Sequence, residues 1–479
     1  MEIVKDKIPL KTKTNYGLGS FGLQLTTGLF TVWTLIFYIK IVKINPLLWS
    51  LAWIIYMIWN AINDPLFGFI SDNTRTKYGR RRPFLIVCTP LLSISFILLY
   101  FTPTDSEQWV YFVWLLISLI AYDSFFTIVG LCFNALMSEL SIEPEERVKL
   151  NLFAGIGGGL GVGITYILPI LFIQNTQPYS QNRPIFQAIV FIVAILGALF
   201  LFFTAFGIKE RPELLPVEEE NLGLWQATKT TLNNKSFLTF VIFNFVITYA
   251  VAAILSNFPF YIQDVLNVSN DSLFASLPLI LFVCFSTLGL PLGIIMNKKF
   301  GNKKAVFYLS IIVVIGLIMI TFVNDIILAS IAFIILGLGF SGQTLLVYTL
   351  LADIIDEDEL KTGVRREGMY FGTNALITKP AISLSAALSG LIFFLTAYNQ
   401  DIGAGEIQSE SAILGIKMLI GIIPAIFIII GMIALWFYPL DGKSAEYVEM
   451  KRNINILQEQ KLKRFRERIA HLVEENRKD

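Results

Sequence analysis

The sequence predicts an all-α membrane protein in which twelve transmembrane helices form two bundles of six. The first observation is composition: 55% of the 479 residues are hydrophobic and only 15% are charged, which is too apolar for a water-soluble chain of this length. The second is a series of apolar segments of bilayer-spanning length. The third is the placement of the cations, most of which fall between segments on one side.

The twelve predicted spans are mostly apolar runs of about 20 residues or more, the length that a helix needs to cross hydrocarbon. Segments 1 to 6 cover residues 16–39, 47–70, 84–102, 109–138, 151–173 and 185–207. Segments 7 to 12 cover residues 236–262, 272–296, 305–323, 326–352, 368–398 and 412–438. The long polar stretch between segments 6 and 7 indicates four parts: an N-terminal bundle at 1–207, a cytoplasmic linker at 208–235, a C-terminal bundle at 236–438 and a charged cytoplasmic tail at 439–479.

The basic residues orient these segments. Of the 37 Lys and Arg residues, 32 lie in the N-terminal arm, the loops on the same side, the linker and the tail. The opposite loops carry Lys40, Lys43 and Arg183. By the positive-inside rule we expect a multi-pass protein of the plasma membrane with both termini in the cytoplasm. The balance of 37 basic and 36 acidic residues argues against a nucleic-acid partner.

The two halves repeat a short motif. Residues 77–81 read KYGRR after segment 2, and residues 299–303 read KFGNK after segment 8, 222 positions later. Each is a basic, aromatic and glycine sequence followed by further cations, on the same side of the membrane. Parallel repeats of six helices are typical of the major facilitator fold, in which the solute binds between the halves near the middle of the membrane.

Three charged residues lie deep within the predicted spans: Asp64 in segment 2, Asp123 in segment 4 and Lys379 in segment 11. Asn60 lies one helical turn before Asp64, on the same face. An unpaired charge in hydrocarbon is costly, so we expect the two acids and the lysine to form one buried cluster. Carboxylate oxygens suit a small cation or a proton. The alternative is a purely structural Asp–Lys pair, and no resident metal is expected.

Polar and aromatic residues of the inner segments are candidates for contact with a solute. They are Gln24, Tyr122, Asp123, Thr127, Asn257, Tyr370 and Asn374. Segment 5 carries Gly155, Gly159 and Gly163, interleaved with Gly157 and Gly161. Small residues at a spacing of four let helices approach closely, so these glycines predict helix packing and not a ligand site.

A second charged block, DIIDEDELKTGVRREG at 353–368, follows segment 10. The alternatives are an ordinary solvated loop and an inner gate that pairs with the basic loop after segment 2. Ionic contacts of this kind form in one conformation and break in the other. The residues of the predicted gate are Arg80, Arg81, Arg82, Asp353, Asp356, Arg365 and Arg366.

Three stretches resemble the glycoside–pentoside–hexuronide:cation symporters, the group of melibiose permease. They are YGLGSFG at 16–22, the run from Asn60 to Pro83 and the block at 353–368. A lysolipid-transporting branch of the same superfamily is also similar. The resemblance implies a cation site that includes Asp64, an acid at Asp123 near both sugar and cation, and a nearby lysine at Lys379.

The chain departs from that family at three places. Asn60 stands where melibiose permease has an acid of the cation site, so one carboxylate is missing. Leu23 and Gln24 replace a Lys-Asp pair whose acid binds sugar hydroxyls. Thr127 replaces an aromatic platform. The resemblance therefore supports the fold and the coupling acids more strongly than it supports a sugar as the solute.

The fold and the buried charges predict a secondary active transporter that moves a small solute in symport with a cation by alternating access, and the resemblance implies that the solute is a sugar or glycoside. Proton coupling is favoured over Na+ because the site has lost one acid to Asn60. We expect no enzyme activity, no cofactor and function as a monomer, with the solute, a monovalent cation and the bilayer as partners. The alternatives are a carrier of lysolipids or other amphiphiles and, from another class, an intramembrane enzyme or a receptor.

Overall fold

The computed structural model describes residues 8–74, 76, 79–140, 144–172, 179–208, 229–268, 273–402 and 407–475. Every predicted segment is helical in these residues. The first half consists of α1 (Leu10–Ile36), a π-helical turn (Phe37–Val42), α2 (Pro46–Asn73), α3 (Arg82–Tyr100), α4 (Gln108–Leu140), α5 (Pro144–Phe172) and α6 (Arg183–Gly207). Most of the predicted linker, residues 209–228, lies outside the described part of the chain.

Three segments of the second half are interrupted. The elements are α7 (Lys235–Phe260) with a π-helical turn (Tyr261–Val265), α8 (Leu273–Leu288), α9 (Leu290–Phe300), α10 (Asn302–Phe322), α11 (Ile326–Thr362), α12 (Glu367–Thr378), α13 (Pro380–Leu395), α14 (Glu410–Lys417), a π-helical turn (Met418–Ile422), α15 (Ile423–Trp436) and the tail helix α16 (Ala445–Glu475). Segment 8 is thus α8 and α9, segment 11 is α12 and α13, and segment 12 is α14 to α15. The all-helical membrane architecture agrees with the sequence prediction.

Ten helices in the described residues are long and apolar enough to cross a bilayer, or eleven if α8 and α9, bent by 44°, form one span. Helix α2 is 28 residues long but does not belong to that set. It carries Asn60, Asn63 and Asp64, polar groups that reduce its apolar character. These polar groups face the inside of the bundle, where Asn63 contacts Asp123, Asp64 pairs with Lys379, and Asn60 contacts Ser383.

The two faces of α2 explain where its polar groups point. Ile54, Ile58 and Ile62 recur at a spacing of four and are 48%, 62% and 51% exposed, as expected of a stripe in contact with lipid. Asn60 and Asn63, by contrast, are buried inside the bundle. The helix therefore turns its amides inward because the isoleucine stripe occupies the lipid side.

Proline affects the two halves of the cluster differently. Segment 11 breaks at Lys379, with α12 ending before it and α13 starting at Pro380, since proline cannot donate a backbone hydrogen bond. Helix α2 continues through Pro65. Lys379 itself keeps helical backbone angles and donates its N–H to the Ala375 carbonyl at 3.0 Å, so Glu367–Leu395 remains one span. The expected loosening is therefore confined to the hydrogen bond that Pro380 cannot donate, and at Asp64 the helix stays continuous.

Segment 5 packs closely against segment 1, as its glycines predict, but through the interleaved pair. A Cβ atom on Gly157 would lie 2.1 Å from the carbonyl oxygen of Gly17, and one on Gly161 would lie 2.7 Å from that of Phe21. At Gly155, Gly159 and Gly163 a Cβ atom would meet no described atom within 4 Å. The close-packing prediction is right, and the contact face is the one with Gly157 and Gly161.

The bundle has two ends, which we name by the chain termini. The terminal face carries the start of α1 and the tail helix, and the far face carries the loops after α1, α3 and α13. At the far face the halves are in contact: Trp49 Nε1 donates to the Ala386 carbonyl at 2.9 Å, and Ser50 Oγ donates to the Ala387 carbonyl at 2.8 Å. The structure is therefore closed at the far face.

Candidate functional site

Asp64 and Lys379 form an ion pair between the two halves of the bundle. Their side chains are 15% and 28% exposed, so the pair is largely shielded from solvent. Lys379 lies at the break between α12 and α13 and also donates to Thr127 Oγ1 at 3.3 Å. Lys379 thus places an ammonium group of the second half against helices α2 and α4 of the first.

Asp123 lies beside this pair, on α4. It is 7% exposed and accepts a hydrogen bond from the amide of Asn63 on α2. The same amide nitrogen, Nδ2 of Asn63, lies 3.1 Å from Thr127 Oγ1. The hydroxyl of Tyr56, a buried residue of α2, also interacts with Asp123.

These contacts form one continuous chain of polar groups, which we call the charge network. It runs from Asp123 through Asn63 and Thr127 to Lys379 and Asp64. Thr127 is the junction, since its hydroxyl oxygen is reached by both the amide and the ammonium group. The structure thus brings together the two acids and the base that the sequence predicts. Their part in ion coupling stays a prediction.

Sequence reasoning missed Asn63 as a member of this network. Asn63 is fully buried and bridges α2 to α4. The signal was present, because a second amide directly before Asp64 in an apolar helix carries the same desolvation cost as Asn60 and needs a partner. The helical periodicity, which pairs residue 60 with residue 64, drew attention to the other face.

Asn60 faces segment 11 and not the acids in its described contacts. Its amide donates to Ser383 Oγ at 3.2 Å. Residues 60 and 64 of α2 therefore meet residues 383 and 379 of segment 11, one helical turn apart on each helix. Asn60 joins the interface between the halves beside the charge network.

Most of the other candidate solute contacts are spread over the bundle. Gln24 lies against the glycines of α5. Tyr122 packs against Phe30 and Phe126. Asn257 Nδ2 donates to Ser389 Oγ at 3.0 Å, and the amide of Asn244 donates to Asn374 Oδ1 at 2.9 Å. Tyr370 accepts a hydrogen bond of 3.2 Å from Asn234 near the terminal face. Among these candidates Thr127 and Asp123 belong to the charge network, and solute contact stays a prediction for all of them.

The acids of the predicted inner gate are bound by the tail helix. Lys451 Nζ pairs with Asp353 at 2.7 Å and with Asp356 at 2.6 Å, and the hydroxyl of Tyr447 donates to Asp353 at 2.9 Å. Burial lowers the pKa of Lys451, but the two carboxylates outweigh burial and hold it above its ordinary value. The lysine is therefore charged throughout the neutral pH range, and the tail is fastened to α11.

Four of the five cations of the predicted gate have contacts within their own halves. Arg365 pairs with Asp356 at 2.9 Å, and Arg366 pairs with Asp358 at 2.6 Å. Arg81 donates to Ser71 Oγ at 2.7 Å, and Arg82 Nε donates to the Ala205 carbonyl at 2.9 Å. Because the structure is closed at the far face, a latch at the terminal face belongs to the opposite conformation and stays a prediction.

The site offers oxygen and nitrogen groups but no described metal cluster. Within the described residues, no group of three or more His, Cys, Asp or Glu side chains is placed to hold a metal ion. The described charges of the network are the carboxylates of Asp64 and Asp123 and the ammonium group of Lys379, which pairs with Asp64 and reaches Asp123 through Thr127 and Asn63.

The helical bundle and the charge network between its halves define a transporter of the major facilitator class, and not an enzyme. The chain belongs to the family described as MFS/sugar transport protein, whose model matches residues 15–442. The sphingosine-1-phosphate transporter MFSD2B of Xenopus tropicalis is 24% identical over 94% of this chain and 91% of its own length. The uncharacterized symporter YjmB of Bacillus subtilis is 27% identical over 92% of this chain and 95% of its own length.

Solved structures show the same fold. The nucleoside transporter NupG superposes with a TM-score of 0.64 at 14% identity and covers 89% of this chain and 100% of its own. The prediction of a major facilitator fold and of a symporter family is therefore confirmed, and the chain is a multi-pass membrane transporter.

Proposed function

We propose that this protein moves a sugar or glycoside in symport with a cation, by alternating access, and that the cation is a proton. The observation that supports this best is the charge network, in which Lys379 of the second half pairs with Asp64 and is linked to Asp123 through Thr127 and Asn63. The family description, which names sugar transport, agrees with the solute class.

The network supplies a means of coupling. Asp64 and Lys379 lie in different halves, so their attraction opposes separation of α2 from segment 11. A proton on Asp64 removes its charge and with it most of that attraction, which is strong where water is excluded. Proton binding and movement of the halves are thereby linked, and a ligand that binds one conformation better shifts the population toward it.

Proton coupling is favoured over Na+ by the ligands that remain. A sodium ion needs several oxygen ligands whose summed charge offsets its lost hydration. At the position of the family's further acid the chain has Asn60, whose amide donates to Ser383. Asp64 and Asp123 already accept hydrogen bonds from Lys379 and Asn63. A proton needs to displace only one of these donors to bind one carboxylate oxygen, whereas Na+ needs several oxygen ligands at once.

A second candidate function is transport of a lysolipid or a similar amphiphile. The relative named as a sphingosine-1-phosphate transporter supports it. The sugar-binding pair of segment 1 is also missing: Leu23 is buried, and Gln24 lies against α5. An amphiphile would need fewer directed hydrogen bonds than a sugar and would use the apolar walls of the bundle.

Transport by purified protein in proteoliposomes tests both candidates. Labelled glycosides and labelled lysolipids are supplied under an imposed pH gradient, an imposed Na+ gradient or neither. The proposal expects a glycoside to accumulate with the pH gradient alone. Accumulation of lysolipid only would replace the solute class, and dependence on Na+ with indifference to pH would overturn proton coupling.

We also propose that the protein lies in the plasma membrane with its terminal face in the cytoplasm. The excess of Lys and Arg at that face supports this orientation. Accessibility of tags at the two termini, in intact and permeabilised cells, tests it. Labelling of either terminus in intact cells would contradict it.

A further inference from the structure

Lys40 and Asp264 form a buried ion pair at the far face. Lys40 Nζ donates to Asp264 Oδ1 at 2.8 Å, and the Tyr398 hydroxyl donates to Asp264 Oδ2 at 2.6 Å. The side chains of Lys40 and Asp264 are 0% and 3% exposed. The expectation that Lys40 belongs to a loop is wrong, because it lies inside the π-helical turn that extends α1.

The pair joins equivalent positions of the two repeats. Segments 1 and 7 both end in a π-helical turn, at Phe37–Val42 and Tyr261–Val265, which start 224 positions apart. Lys40 and Asp264 are also 224 positions apart. Each turn is followed by a non-glycine residue in the left-handed region, with φ of 61° at Lys43 and 53° at Asn267, again at the same separation.

This equivalence places the pair on the axis that relates the halves. Two positions equivalent by a two-fold rotation can touch each other only at the rotation axis. If both repeats carried the same charge there, like charges would meet at hydrogen-bond distance and repel strongly. A base in one repeat and an acid in the other turn that repulsion into attraction between the first helices of the two halves.

The surroundings fit a contact that is made and broken. Asp264 receives donors on both oxygens, and Lys40 Nζ lies 5.7 Å from the ring centres of both Phe260 and Tyr398. The pair is therefore well satisfied while closed. When the halves separate, water reaches both ions, so opening does not leave an unpaired charge in apolar surroundings. π-Helical turns are often found at functional sites in other proteins.

We propose that Lys40, Asp264 and Tyr398 form the gate that holds the far face closed in the transport cycle. The role of this gate in transport rests on the proposed function. The closure itself is measured without solute or ion gradient, so a negative transport assay and a negative gate assay remain separate results.

The experiment measures access from the far face to one engineered cysteine. Cys88, Cys132 and Cys284 are first replaced by serine, and Ser256→Cys is introduced into a small cavity between the halves that Thr34 and Ser385 also line. A membrane-impermeant thiol reagent is added to the far side of vesicles whose orientation is checked by protease cleavage of the tail. Labelling rates are compared in this background.

Lys40→Met and Asp264→Asn are expected to increase the labelling rate about tenfold or more, a shift worth roughly 1.4 kcal/mol per tenfold change. The exchanged pair, Lys40→Asp with Asp264→Lys, is expected to return the rate to within about threefold of the background. Tyr398→Phe keeps the ring, removes one donor and is expected to give about a threefold increase. It tests the gate even if the charge variants fail to fold.

Asp401→Asn is the matched control. It removes one partner of Lys43–Asp401, an ion pair that also joins the halves at the far face but is 32% and 73% exposed. Exposed pairs contribute little, so its labelling rate should stay within about twofold of the background. Unchanged labelling in Lys40→Met, Asp264→Asn and Tyr398→Phe, or an exchanged pair that labels as fast as the single variants, would overturn the gate.

Discussion

Asp64 of α2 and Lys379 of segment 11 lie 315 positions apart in the chain and form an ion pair between the two halves of the transporter. Asn60 and Ser383 repeat the contact one turn away, so the interface of α2 with segment 11 is polar at this depth. A charge at such an interface cannot change without a change in the attraction between the halves. The charge of Asp64 is therefore tied to the contact between the halves, as the proposed coupling requires.

Replacement of Asp64 by asparagine should abolish accumulation of solute against its gradient and leave exchange of solute partly intact. The asparagine cannot carry a proton or balance Lys379, while the binding surface is otherwise kept. Accumulation and exchange are measured in proteoliposomes. Asp401→Asn, a change of the same chemistry at an exposed far-face residue, is the control. Normal accumulation by Asp64→Asn would rule out this coupling.

Replacement of Asn63 by alanine should lower the accumulation ratio about tenfold or more. It removes the amide that binds both Asp123 and Thr127, and a buried carboxylate that loses its donor costs about 1–3 kcal/mol. Gln343→Ala is the comparison, because its amide is equally buried but donates to Ser310 Oγ within the second half, apart from the charge network. Equal effects of the two variants on accumulation would assign Asn63 a structural role only.

Replacement of Gly157 by alanine should destabilise the protein by about 1–3 kcal/mol, and replacement of Gly159 should be nearly neutral. A Cβ atom on Gly157 would lie 2.1 Å from the Gly17 carbonyl oxygen, whereas one on Gly159 meets nothing described within 4 Å. Thermal unfolding in detergent compares the two. A larger loss of stability for Gly159→Ala would show that the contact face of α5 is assigned incorrectly.

The basic loop at Arg80, Arg81 and Arg82 should approach the acids that begin at Asp353 when the far face is open. In this structure, which is closed at the far face, Lys451 forms an ion pair with Asp353. The arginines would therefore have to displace Lys451 or share Asp353 with it. A structure of the far-face-open state tests the latch. A separation of the two loops greater than about a Debye length, ~8 Å at physiological salt, would count against it.

The sequence by itself determined the class of this protein and the residues that carry charge into the membrane. Apolar runs of spanning length, a one-sided distribution of cations and the repeat 222 positions apart are properties of the chain and fixed an all-helical bundle of two halves. The cost of a charge in hydrocarbon made Asp64, Asp123 and Lys379 partners before any distance was known.

Only the tertiary structure decided which groups meet. The apolar pattern of segment 1 predicts that Lys40 lies in a loop, but a π-helical extension of α1 buries it against Asp264. The pattern of one segment does not show where its helix ends relative to the other half of the protein. Spacing identified the glycines of segment 5 but not their contact face. The role of Asn63 likewise depends on α4 lying beside α2, a contact between residues 60 positions apart that no helical period encodes.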